Sequence, residues 1–193
     1  MKEKISVIIP TYDRPQKLRR ALRSCLDQEV APYEVLVIDN GKNPATPAQV
    51  KELEQESPDF AIQLLRSEPF NQRKCLRRGI LEASGDWIII LDDDDFLVPD
   101  RIENDCKAAN DADEDTMVFV HDFVRINYQN RLVWCHRMAD KELTLYQAVT
   151  IENFPPSPAS TWRASAMKEY QPFDTPGGWM TDFELFACLL PHG

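Results

Sequence analysis

The chain lacks a basic surplus. Its 193 residues carry 22 lysines and arginines against 32 aspartates and glutamates, a formal charge of −10. A general nucleic-acid binder carries a basic face, and a polybasic anchor for anionic lipids needs the same excess; both classes are excluded. Long hydrophobic runs are missing too. Stretches such as Trp87–Leu91 fall far short of the roughly 20 residues a bilayer span takes, so any membrane contact is expected to be peripheral. Met1-Lys2-Glu3-Lys4 leads straight into a strand-like run without a signal-peptide pattern. The five cysteines (Cys25, Cys75, Cys106, Cys135, Cys188) are scattered, odd in number and without a C-x-x-C pair. Neither a zinc site nor a disulfide framework is expected, and the compartment implied is a reducing cytoplasm. His121, His136 and His192 show no paired metal spacing. No G-x-G-x-x-G or other glycine-rich phosphate loop follows the first apolar run, which disfavours dinucleotide enzymes and nucleotidyltransferases. No repeat or low-complexity linker divides the chain, so residues 1–193 are expected to form one domain.

What is present is an apolar fraction of 43%, ample for a core, arranged in an alternating pattern. Ile5–Ile9 reads as a buried strand that Pro10 ends. Leu18, Ala21, Leu22, Cys25 and Leu26 recur at helical spacing over Pro15–Gln28. Val35–Ile38 is a second strand, Pro47–Glu56 a polar helix, Ala61–Leu65 a weaker strand, 71–84 a helix and Asp86–Leu91 the most apolar strand. This is the order of an α/β fold with a mostly parallel sheet flanked by helices. The second half is mixed and loop-rich: a helix from Pro99 to about Asn110, strands at Met117–Val120, Val124–Tyr128 and Leu132–Cys135 with a tight turn at Gln129-Asn130, a short strand near Ala159–Trp162, and a helix from about Thr181.

Ligands of such sheets lie beyond the carboxyl ends of the strands. The residues there are Pro10-Thr11-Tyr12-Asp13, Asp39-Asn40 and Asp92-Asp93-Asp94-Asp95. Four successive aspartates behind a buried strand repel one another and call for a counter-charge. Hard oxygen ligands suit Mg²⁺ or Mn²⁺, which is commonly held by one or two carboxylates together with a diphosphate. The plainer reading is a solvated acidic turn before the helix at Pro99; the position directly after a buried parallel strand favours the metal.

Ile5–Arg14, Glu34–Gly41 and Gly85–Asp100 together resemble the family 2 glycosyltransferases: a Pro-Thr-Tyr-Asn-Arg-like end to the first strand, Val-Asp-Asp or Val-Asp-Asn after the second, and an Asp-x-Asp motif followed by Pro-Asp after the fourth. The resemblance implies a Rossmann-like GT-A fold, with residues 1–98 as the nucleotide-binding half and 99–193 as the acceptor-binding half. It also implies an inverting enzyme that moves a sugar from a nucleotide sugar, usually a UDP-sugar, to a carbohydrate or glycolipid hydroxyl, the setting being polysaccharide or glycolipid synthesis. On this likeness Pro10, Thr11 and Tyr12 line the base, with Tyr12 stacked on it, and Arg14 belongs to the same motif. Asp39 accepts a hydrogen bond from the base imide N–H; its alternative role is a turn residue before Gly41. Asp94 is the leading metal ligand. Asp92 or Asp93 reaches the ribose or a water of the metal, and Asp92 and Asp95 remain open as ligands. Phe173-Asp174 and Trp179–Leu185 resemble the family's Phe-Asp-Glu and Glu-Asp-x-Glu-Leu stretches. That makes Asp182 the catalytic base, with Glu184 as competitor and Trp179 as a wall for a sugar ring.

The chain departs from that family in several places. Cys75-Leu76-Arg77-Arg78-Gly79 stands where Ala-Arg-Asn-x-Gly is common, although Arg73, Lys74, Arg77 and Arg78 keep the segment basic. Asp13 replaces the commoner Asn. Relatives continue beyond the position of Leu190, so the acceptor half is expected to be short or truncated. These departures motivate the rival reading, a non-catalytic sugar-nucleotide-binding or assembly module of the same fold. His121-Asp122 is a further candidate for the acceptor side, with a structural role favoured for the histidine.

Overall fold

The protein's structure, a computed structural model, describes residues 3–67, 71–127, 129, 131–137, 156–173, 185, 188 and 189. At its centre three β-branched runs, Ile5–Thr11, Glu34–Asp39 and Trp87–Ile90, are buried from end to end. β1 (Ile5–Thr11), β2 (Glu34–Asp39), β3 (Ile62–Arg66) and β4 (Trp87–Ile90) alternate with α1 (Pro15–Leu26), α2 (Ala45–Glu56) and α3 (Gln72–Glu82). Then follow α4 (Arg101–Asp111), β5 (Val118–Val120), β6 (Phe123–Ile126), β7 (Leu132–His136), a 3-10 turn over Ser157–Ala159, β8 (Ser160–Arg163) and α5 (Ala164–Tyr170).

Six strands form one sheet in the order β3-β2-β1-β4-β8-β5. β3, β2, β1 and β4 run parallel, whereas β8 pairs antiparallel with both β4 and β5. β6 and β7 form a separate antiparallel ribbon. Successive side chains leave a strand on opposite faces, and here both faces are covered. Ile5, Val7, Ile9, Val35, Val37, Trp87 and Ile89 pack with Leu18, Leu22, Leu53 and Ile102 on one side. Ile8, Leu36, Ile38, Ile88 and Ile90 pack with Leu76, Ile80, Met167, Leu185 and Leu189 on the other. Two-sided burial explains why these strands read as continuous apolar runs. Among the described residues no helix is long and apolar enough to cross a membrane.

Three expectations need correction. Pro10 does not end β1, which continues to Thr11 with Pro10 opposite Ile38. The Ile5 and Thr11 carbonyls bond toward β2, and the Ile8 carbonyl bonds Leu91 on the other side. By that alternation the nitrogen of Pro10 faces β4, past the last paired residue, where no ladder hydrogen bond is lost. No element is expected between the short strand and the helix at Thr181, whereas α5 follows β8 directly and buries Ala164, Ala166 and Met167. The Gln129-Asn130 turn is wider than two residues, since Ile126 pairs with Leu132 and the Asn127 side chain accepts from the Gln129 and Arg131 N–H groups. The helix expected from about Thr181 falls almost wholly outside the described residues, as do Asp174, Trp179, Asp182, Glu184 and His192.

Candidate active site

The carboxyl ends of β1 and β4 open on a cleft of about 290 Å³ whose lining includes Pro10, Thr11, Tyr12, Arg14, Asp92, Asp93 and Asp94. Seven of the residues singled out in the sequence therefore meet at one place. A hydrogen bond ties the two strand ends together: Thr11 Oγ1 donates to Asp93 Oδ2 at 2.8 Å. Asp93 is buried, and its other oxygen accepts from Arg14 Nη1 at 3.2 Å. Asp94 points outward. Its Oδ2 accepts from Lys17 Nζ at 2.9 Å and from Arg14 Nη1 at 3.4 Å, and its backbone carbonyl accepts from Arg20. Partial burial pushes the Asp94 carboxyl up, but the hydrogen bond and charge of Lys17, helped by Arg14, outweigh burial and leave its pKa below the ordinary value.

Lys17 and Arg20 were not identified as site residues from the sequence. The signal was present in the spacing: Arg14, Lys17 and Arg20 recur every three residues along α1, which stacks them on one face. Helix α1 and the residues just after it also brace the acidic loop and the start of α4. Ser24 Oγ accepts from the Leu97 N–H, Gln28 Nε2 donates to the Val98 carbonyl, and Gln28 Oε1 accepts from the Ile102 N–H.

Asp39 does not line the cleft. It is fully buried at the end of β2, with Oδ1 accepting from the Gly41 N–H at 2.8 Å and Oδ2 from Arg66 Nη1 at 2.5 Å. The first bond is the turn geometry of an aspartate two residues before a glycine; the second comes from a half-exposed arginine at the end of β3. Asp13 adopts a left-handed φ of 51°, a conformation in which Asp and Asn are favoured over most residues. Its Oδ1 accepts from the Lys42 and Asn43 N–H groups, each at 2.7 Å, which joins the loop after β1 to the loop after β2. A Cβ on Gly41 would stand 2.3 Å from that same oxygen, so the approach requires glycine.

Asp95 lies on the far side of the acidic turn, lining a second cleft of about 770 Å³ with Lys17, Arg20, Phe96, Asp122, Phe123 and Arg125; Asp94 borders both. His121 serves the frame. Its Nε2 lies 2.5 Å from Asp105 Oδ1, which sets the residue after β5 against α4. Of the basic residues on α3, Arg77 bonds Gln171 and Arg73 lies over the Phe173 ring, both just beyond α5. Among the described residues no three His, Cys, Asp or Glu side chains converge as a metal cage. A Mg²⁺-type ion bound through one or two carboxylates and substrate phosphates needs none. The outward carboxylate of Asp94 at the mouth of the cleft fits that mode.

A parallel four-stranded core, extended past β4 by two antiparallel strands and carrying its polar loops at one edge, defines a GT-A fold. The chain belongs to glycosyl transferase family 2, whose profile matches residues 6–190. It is 36% identical over 118 residues to an uncharacterized glycosyltransferase, YwdF, of Bacillus subtilis, covering 61% of this chain and 41% of that one. It is 28% identical over 109 residues to the GalNAc(5)-diNAcBac-PP-undecaprenol beta-1,3-glucosyltransferase of Campylobacter jejuni, covering 56% and 35%. The chain thus spans less than half the length of these relatives. Among solved structures, residues 1–349 of S. aureus TarS in complex with UDP-GlcNAc superpose with a TM-score of 0.71 at 18% identity, over 96% of this chain and 53% of that one. The mannosyltransferase PcManGT of Pyrobaculum calidifontis, in complex with GDP-Man and Mn²⁺, gives 0.68 at 18% identity, over 97% and 51%. At such identities the likeness is one of fold.

Proposed function

We propose that this chain is the donor-binding and catalytic part of a metal-dependent, inverting glycosyltransferase. It moves a sugar from a nucleotide sugar, a UDP-sugar in the first instance, to a hydroxyl of a carbohydrate or glycolipid acceptor in polysaccharide or glycolipid synthesis. The observation that carries this reading is the junction of Thr11 with Asp93 at 2.8 Å, which sets the outward Asp94 beside the loop meant for the base. The UDP-GlcNAc and GDP-Man complexes of proteins sharing the fold support a nucleotide-sugar donor, and the undecaprenol-linked substrate in one relative's name supports a glycolipid acceptor. All five cysteines are without disulfides, which supports a cytoplasmic setting.

In this reading Pro10, Thr11 and Tyr12 hold the base and Tyr12 stacks on it. Asp39 receives the imide N–H once Arg66 shares or yields its oxygen. Asp93, fixed by Thr11 and Arg14, takes the ribose side. A Mn²⁺ or Mg²⁺ held by Asp94, with Asp92 beside it and Asp95 as the more distant candidate, would supply positive charge against the diphosphate. Asp182 is the proposed base. It takes the acceptor hydroxyl proton as that oxygen bonds to the anomeric carbon and the nucleoside diphosphate leaves from the opposite face, so a single displacement inverts the centre.

Thermal melting with UDP, with and without Mn²⁺, tests the site. A ligand at a hundredfold excess over its Kd adds about 2.7 kcal/mol, or roughly 5–10 °C in a domain of this size. Asp94→Ala is expected to lose the Mn²⁺-dependent part of the rise while its metal-free melt stays near wild type. A wild-type protein that gains nothing from Mn²⁺ with UDP overturns the donor site. Asp182→Asn should keep the rise and abolish transfer. A rise without transfer or hydrolysis from any nucleotide sugar would make the protein a binding module instead.

A further inference from the structure

We propose that Lys17 is the resident counter-cation of Asp94: a divalent ion has to displace it to bind, and the displaced ammonium is handed over to the donor's diphosphate. This rests on the donor-site reading above. Lys17 Nζ lies 2.9 Å from Asp94 Oδ2, on the carboxylate that a metal ion would take, and Asp94 borders both the donor cleft and the second cleft that Lys17 lines. Arg14 reaches the same oxygen only at 3.4 Å and also holds the buried Asp93, so it is anchored where it is. Arg20 grips the Asp94 backbone carbonyl and lies 5.3 Å from the Phe96 ring centroid, which fixes the loop but leaves the carboxylate alone. Among the described residues, Lys17 has Asp94 as its ion-pair partner, and its side chain is 50% exposed. Unlike Arg14 and Arg20 it carries its charge as a compact ammonium on a flexible four-carbon stem.

The arrangement explains how four consecutive aspartates stay folded behind a buried strand before any metal arrives: α1 brings its own positive charge. An ammonium and a divalent ion drawn to the same carboxylate stand a few ångströms apart and repel each other. Metal binding therefore drives Lys17 off Asp94, and the nearest new anion is the diphosphate that enters with the metal. Lys17 consequently has opposite effects on two affinities. It weakens the binding of Mn²⁺ alone and strengthens the binding of UDP once Mn²⁺ is present.

The test is Mn²⁺ binding, read as loss of the free-ion electron paramagnetic resonance signal, followed by UDP titration at saturating Mn²⁺, for wild type, Lys17→Met and Lys17→Arg. Met keeps the apolar stem and removes the charge; Arg keeps the charge. Lys17→Met is expected to bind Mn²⁺ roughly fivefold more tightly, the size of one exposed ion pair, and UDP several-fold more weakly, with Lys17→Arg near wild type in both. Mn²⁺ affinity that is unchanged or weaker in Lys17→Met overturns the proposal. Tighter Mn²⁺ with unchanged UDP affinity overturns the hand-over to the diphosphate. A wild-type protein that binds no Mn²⁺, with or without UDP, overturns the donor-site reading itself, a result distinct from either.

Discussion

Asp105→Ala should be among the most damaging single changes in this protein, although the residue touches no substrate. Asp105 is fully buried on α4. Its Oδ2 accepts from Arg101 Nε at 2.9 Å, and its Oδ1 faces His121 Nε2. Arg101, itself buried, also donates to the Pro158 carbonyl at 2.7 Å and to Thr161 Oγ1 at 2.8 Å. One carboxylate thereby neutralises the guanidinium that fastens α4 to the 3-10 turn and β8. Removing it strands a buried charge, and breaking such a pair costs about 3–5 kcal/mol. At roughly 2–4 °C per kcal/mol for a domain of this size, the melting temperature should fall by about 10 °C. Urea unfolding and calorimetry at pH 7 measure it. Asp105→Asn, which keeps an acceptor but not the charge, should lie between mutant and wild type. The pH dependence has a definite sign. Burial pushes the Asp105 carboxyl up, but the His121 hydrogen bond and the charges of Arg101 and His121 outweigh it, so the folded pKa lies below the ordinary 3.8. The stabilisation is therefore complete above about pH 4–5 and is lost as pH falls through the depressed folded value. Wild type should lose stability there more steeply than Asp105→Ala. A loss below about 1 kcal/mol at pH 7, or identical acid profiles for the two proteins, would refute the reasoning.

Two further outcomes follow from geometry. Asp13→Ala removes the acceptor for two backbone N–H groups and leaves alanine at φ 51°; it should cost about 1–3 kcal/mol and weaken UDP binding, whereas Asp13→Asn should stay within about 0.5 kcal/mol, and calorimetric titration with urea melts separates the two. Gly79→Ala on α3 would set a methyl 2.5 Å from Ile8 Cγ2, so overpacking by about 1–3 kcal/mol should exceed the helix-propensity gain of about 1 kcal/mol; a mutant that melts above wild type would show that α3 can shift away from the sheet.

The amino-acid sequence by itself determined the strand and helix alternation as far as β4 and the placement of the polar loops at one edge. The reason is physical: strands buried on both faces must be apolar throughout, amphipathic helices must repeat every three to four residues, and both constraints are local. Thr11, Tyr12, Arg14 and Asp92–Asp94 could be singled out because they directly follow such strands. Only the tertiary structure decided what depends on distant neighbours. Pro10 lies inside β1 because β4 stops short of it. β8 and β5 join the sheet antiparallel beyond β4, and α5 packs beneath, although seven residues from Ala164 to Tyr170 are too few to announce a helix by periodicity. Asp39 carries an arginine from β3, Asp105 meets a histidine 16 positions on, and Lys17 reaches an aspartate 77 positions away. Such pairings are set by where the backbone crosses itself in space: spacing can stack Arg14, Lys17 and Arg20 on one face, but it does not name their partners.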